Sequence, residues 1–133
     1  MKLDNQAPNV SLSAEERLLQ MAEKAGTDEG FEAILAAARR HPIYLRMQRG
    51  WSGVRFTPLH NTQKQLFWVS SNLWIGTIYA ENFEKFYGIP AHRVRELLNI
   101  PYGSKLGPSQ VEEFITQLDR LFAEIEQEYN AEL

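Results

Sequence analysis

The chain has 133 residues, 44% apolar and 23% charged, with 14 basic against 17 acidic side chains for a net charge of −3. These values suit one small folded unit and exclude a wholly disordered chain. There is no cysteine, which excludes disulfides, thiolate nucleophiles and cysteine-ligated zinc or iron–sulfur centres. No apolar run approaches the roughly 20 residues that span a bilayer, and Met1 to Val10 lacks the apolar core of a secretory signal, so a cytoplasmic protein without membrane association is expected.

Residues 1–12 read as a flexible lead-in to a single α+β domain over 13–133. Ser13 and Glu16 have the spacing of a capping box, and Leu18, Leu19, Ala22 and Ala25 then recur at helical spacing up to Gly26, a helix stop. A second helix is expected from Thr27, with Asp28 and Glu29 near the positive end of its dipole and Phe31, Ile34, Leu35 and Ala38 as its apolar stripe. Arg39 and Arg40 suit its end, and Pro42 closes it.

The period then becomes alternating: Ile43, Leu45 and Met47 interleave with Tyr44, Arg46 and Gln48. Val54 and Phe56 mark a second strand with Trp51 near its start, and Thr57 to Lys64 reads as a loop. Gln65 to Ser70 and Leu73 to Tyr79 are rich in aromatic and β-branched residues and form a hairpin about Ser71-Asn72. The expectation is an antiparallel meander of three or four strands, flanked by two N-terminal and three C-terminal helices. The C-terminal helices are Glu81 to Tyr87 ending at Gly88, Ala91 to Leu98, and a long helix from a second capping box at Ser109 and Glu112. Val111, Phe114, Ile115, Leu118, Leu121, Phe122 and Ile125 line its apolar face, and Tyr102 to Gly107 reads as a loop.

Charge is unevenly distributed. Residues 1–32 hold seven acids and three bases, residues 33–80 hold six bases and no acid, and residues 81–133 hold ten acids and five bases. The acid-free stretch also contains all three tryptophans. Sheet-based metal catalysis needs converging carboxylates or histidines, which the strands lack, and no metal or cofactor is expected. His92 and Glu96 share a helix face but read as an exposed pair four residues apart. There is no Gly-x-Ser-x-Gly elbow, no complete phosphate loop around Gly103-Ser104-Lys105 and no Gly-x-Gly-x-x-Gly after a strand.

The centre supplies what a nucleic-acid surface needs: cations for phosphates and aromatic faces for bases. Its candidate residues are Arg46, Arg49, Trp51, Arg55 and Lys64; Phe67 and Trp68 point to opposite faces, and Trp74 shares a face with Gly76. A structural alternative has helices on both faces of the sheet, with the arginines neutralising acidic helices. Residues 82–100 carry a second signal. Phe83, Tyr87, Ile89, Val94 and Leu97 about Gly88 resemble a helix-turn-helix unit, which implies that His92, Arg93 and Arg95 reach a groove. Glu84 departs from that motif, which has a small residue there.

These readings point to a non-enzymatic binding module with nucleic acid as its ligand class. One alternative is a protein-interaction or dimerising accessory protein that uses the C-terminal helix. The other is a metal-free ribonuclease drawing on His41, Tyr44, Arg46, Arg55, His60 and Lys64.

Overall fold

The computed structural model describes residues 13–100 and 103–129; the expected lead-in, residues 1–12, lies outside them. The fold is α+β. Among the described residues the order is α1 (Ala14–Ala25), α2 (Asp28–Ala38), β1 (Ile43–Arg46), β2 (Gly53–Pro58), β3 (Phe67–Ser70), β4 (Trp74–Ile75), α3 (Ala80–Tyr87), α4 (Ala91–Leu97), β5 (Ser104–Lys105) and α5 (Pro108–Glu124), which runs on into a π-helical turn (Ile125–Tyr129). Among the described residues, no helix is long and apolar enough to cross a membrane.

Local chemistry explains most boundaries. Ser13 and Glu16 form the expected capping box: Glu16 N–H donates to Ser13 Oγ at 3.1 Å and Ser13 N–H to Glu16 Oε1 at 2.8 Å. Gly26 and Gly88 end α1 and α3 in the left-handed conformation that glycine adopts without steric cost. Two caps differ from expectation. The Thr27 hydroxyl leaves the start of α2 uncapped and donates to the Ser71 carbonyl at 2.6 Å, tying the α1–α2 turn to the β3–β4 turn. Helix α5 starts before Ser109: Pro108 takes its first turn, and Gln110 accepts the Gly107 N–H at 2.9 Å, so the Ser109–Glu112 box does not form.

The sheet is an antiparallel meander in sequence order, with five strands among the described residues rather than three or four. The fifth, β5, falls where a loop was expected, since two residues carry no detectable period; Lys105 pairs with Trp74 and Ser104 with Ile75. The fourth strand is regular over Trp74–Ile75 alone. Past it the chain stays beside β3, with Gly76 N–H donating to Trp68 O and Tyr79 N–H to Leu66 O, both at 2.9 Å. The turn before β4 places Leu73 at φ 69°, a conformation costly for a branched side chain. Its buried isobutyl group fills the space against Gly30 of α2, where an added Cβ would lie 2.9 Å from Leu73 Cδ1.

Strand pairing sets the faces. Leu45 opposes Phe56, Phe56 opposes Phe67, Val54 opposes Val69 and Val69 opposes Ile75. All but half-buried Leu45 are fully buried, on one face that meets the helices. Phe56 stacks on Phe67 at 4.5 Å between ring centroids, and Phe114 of α5 meets Phe67 edge-on at 5.3 Å. A second aromatic group closes the core, where Tyr87 meets Phe122 edge-on at 5.2 Å and His41 stacks on it at 4.7 Å. The Tyr87 hydroxyl donates to the Pro42 carbonyl at 2.6 Å, and burial pushes its ionisation well above the usual phenol range.

Deleting the Phe67 ring should therefore cost about 3–5 kcal/mol in a denaturant titration. Trp74→Ala, on the opposite face, should cost under about 1 kcal/mol.

Candidate functional site

The pleat that buries Phe56 and Phe67 sends their neighbours to the other face. By register, Tyr44 opposes Thr57, Arg46 opposes Arg55, Arg55 opposes Trp68, Gly53 opposes Ser70 and Trp74 opposes Lys105. The face therefore collects three cations and three aromatic rings from five strands. Two of the rings stand well into solvent: Tyr44 is 46% exposed and Trp74 is 47% exposed.

Trp51, in the β1–β2 connection, folds over the middle of this face. The guanidinium carbons of Arg46 and Arg55 lie 5.5 and 5.1 Å from its ring centre, and the Trp68 ring meets it edge-on at 5.9 Å. Gly53 makes room for that arrangement. A Cβ there would fall 2.7 Å from Trp68 Cζ2 and 2.5 Å from the Val69 carbonyl oxygen, so ring and neighbouring strand occupy the space of a side chain.

Arg46 and Arg55 oppose each other directly across two strands, an arrangement that destabilises a sheet when nothing intervenes. Among the described residues, neither meets a carboxylate. Arg46 donates to the Thr62 carbonyl at 3.2 Å, whereas Arg55 Nε is buried without a hydrogen-bond partner. Among the described residues, Arg49 and Lys64 are exposed and make no ion pair; Arg49 lies in the β1–β2 connection and Lys64 in the β2–β3 loop that accepts Arg46. A small groove of about 140 Å³ continues past Trp51 to α1, lined by Arg17 and Met21 on one side and Gln48 and Arg49 on the other. Arg17 too makes no ion pair among the described residues.

The arginines of the helical side behave differently. Arg39 pairs with Glu15 and Arg40 with Asp119, each at 2.7 Å. Asp119 also meets His41 Nε2 at 2.6 Å. Neutralisation of acidic helices thus accounts for Arg39 and Arg40 and leaves the sheet arginines unaccounted for.

Helices α3 and α4 form the corner where a helix-turn-helix was read. Glu84, the departure from that motif, accepts the Ala91 N–H at 3.0 Å and so caps α4. Arg93 forks onto Glu124 of α5 through two bonds of 2.7 Å and reaches Glu96 at 2.9 Å, while Arg95 pairs with Glu81. His92 is exposed. Two of the three residues assigned to groove contact are thus held by acids of the same chain. The Arg93 hydrogen bonds hold the Glu124 carboxyl below the usual carboxylate range.

The structure brings Arg46, Trp51 and Arg55 together, with Arg49 in the connection that carries Trp51. It ties Arg93 to the helical layer. The nucleic-acid candidates read from the sequence did not include Tyr44, named there only for a ribonuclease, nor Trp68 and Trp74, given there only a face, nor Lys105 and Arg17. Alternation from Arg46 could have placed Tyr44 on the same face, whereas Trp68 is placed by the β2–β3 register, and Lys105 and Arg17 lie on elements far away in sequence. Among the described residues, no group of three or more His, Asp or Glu is placed to hold a metal ion. No family model, curated protein or solved structure matches this chain.

Because Arg46 and Arg55 repel each other, Arg46→Thr should leave stability within about 0.5 kcal/mol of the parent, or above it, in chemical denaturation. Gly53→Ala should destabilise by about 1–3 kcal/mol and shift the tryptophan emission. The Glu124 contribution, arising from a lowered ionisation, is present above the unfolded carboxylate value of about 4.3 and is lost as pH falls through the lower folded value. Glu124→Gln should accordingly flatten the acid limb of a plot of denaturation midpoint against pH.

Proposed function

We propose that the outer face of the sheet binds nucleic acid and that the protein is a non-enzymatic binding module. The observation that carries this reading is the cross-strand Arg46–Arg55 pair, held against Trp51 with no carboxylate beside it among the described residues. A polyanion laid across the face relieves the repulsion and supplies charged acceptors to both guanidinium groups, of which Arg46 otherwise meets only the Thr62 carbonyl. Arg49, Lys64 and Lys105 add positive charge at exposed positions. The chain is acidic overall, so the field that attracts phosphate is local to this face and opposed elsewhere. A nucleic-acid ligand also suits the cytoplasmic location expected from the sequence.

The ribonuclease reading gains less support. His41 is stacked on Phe122 and bonded to Asp119 at the helical layer, whereas Tyr44, Arg46 and Arg55 share the outer face. The dimerisation reading needs a free apolar face on α5. Val111, Phe114, Leu118, Leu121 and Phe122 of that helix are buried in the chain's own core.

Binding of labelled oligonucleotides followed by anisotropy across a salt series tests the proposal. Affinity should fall steeply with salt, and replacing Arg46, Arg49 and Arg55 with alanine should reduce the magnitude of the log–log slope by roughly two. Arg93→Ala should leave that slope unchanged. No binding at low salt, or a triple variant indistinguishable from the parent, overturns the reading.

A further inference from the structure

The outer face has features that separate one form of nucleic acid from another. Five strands at a spacing of about 4.8 Å make a surface roughly 19 Å wide, too broad to enter a major groove of about 12 Å. The two arginines of α4, Arg93 and Arg95, are ion-paired and so are not free to act as the cations of a recognition helix. The most exposed rings, Tyr44 and Trp74, stand at opposite corners of the face. By strand order and register they lie three strands and four residues apart, a diagonal of roughly 20 Å. The Arg46–Arg55 row and Trp68 lie between them.

We infer that this face takes single-stranded nucleic acid, with unpaired bases stacked on Tyr44 and Trp74 and the intervening backbone crossing the Arg46–Arg55 row. The inference rests on the nucleic-acid reading of the same face. Bases buried in a duplex have no free face to offer a protein ring, whereas those of a single strand do. Stacking covers the indole and phenol surface now left in water, and the two arginines neutralise phosphates between the two stacking positions. At the roughly 3.4 Å axial rise per nucleotide of a stacked strand, the diagonal corresponds to about six steps, a footprint of about seven nucleotides. Stacking accepts any base, so little sequence preference is expected; Trp51, already in contact with both arginines, contributes rigidity rather than a stacking surface.

The test uses oligo-dT and oligo-U of about ten nucleotides and a mixed-sequence DNA duplex of about 20 base pairs, all at one salt concentration. Both single strands should bind at least about ten-fold more tightly than the duplex and quench tryptophan fluorescence. Trp74→Ala and Tyr44→Ala should each weaken single-strand binding by roughly 5- to 150-fold, with Trp74→Phe restoring most of the loss. Thermal unfolding close to the parent's verifies that each variant is folded. Duplex binding as tight as single-strand binding, or ring deletions that change affinity less than two-fold while the arginine variant still abolishes it, overturns the inference and leaves the nucleic-acid reading standing. Absence of binding to all three oligonucleotides overturns both.

Discussion

The register between β2 and β3 governs most of what this molecule can do. Val54 with Val69 and Phe56 with Phe67 meet on one face; the intervening Arg55 and Trp68 meet on the other. A slip of one residue would turn the two charged and aromatic side chains into the core and the two phenylalanines into water. Burial of Phe56 and Phe67 under Phe114 makes that slip expensive, because each ring removes a large apolar area from solvent. The same packing that stabilises the sheet therefore holds Arg55 and Trp68 in place on the outside. Gly53 completes the arrangement by admitting the Trp68 ring across the neighbouring strand.

Electrostatics divides the molecule along the same line. On the helical layer, acids and arginines meet in pairs: Glu15 with Arg39, Asp119 with Arg40, Glu124 with Arg93, Glu81 with Arg95. Most of these pairs are solvent-exposed and each adds little stability, although Glu124 is more enclosed and its forked contact with Arg93 is geometrically specific. On the outer face, arginine meets arginine across β1 and β2, and an indole ring lies against both. Cation–π attraction of about 0.5–2 kcal/mol per contact offsets part of their repulsion without neutralising either charge. A local rule of sheet stability is broken at the place where exposed aromatic rings also accumulate. The proposed nucleic-acid surface rests on that departure.

The α3–α4 corner shows how apolar spacing alone misleads. Phe83, Tyr87, Val94 and Leu97 are buried, as a packed helical hairpin requires, and Gly88 makes the turn. Arg93 and Arg95 beside them pair with acids of the same chain, and Glu84 acts as a cap. The C-terminal helix tells a similar story in the other direction. Its apolar stripe is as regular as that of an interaction helix, yet it is consumed by Phe67, Tyr87 and the other buried rings. In both cases periodicity reports that a face is buried and is silent on what buries it.

The sequence by itself determined the α+β class, the order of helices around an antiparallel meander, the capping box at Ser13 and the helix stops at Gly26 and Gly88. It also placed the acid-free, tryptophan-bearing stretch in the strands. These are local properties, set by side-chain period, backbone preference and composition, and they survive being read one segment at a time. Only the tertiary structure decided that β5 exists, that Lys105 stands beside Trp74, that Arg17 reaches the groove next to Trp51, and that Thr27 serves the β3–β4 turn instead of its own helix. Those facts depend on which distant segments come to lie together, and no window of sequence contains both partners. The same reason settles the partners of the arginines: Arg40 folds onto Asp119, while Arg46 and Arg55 meet each other and Trp51.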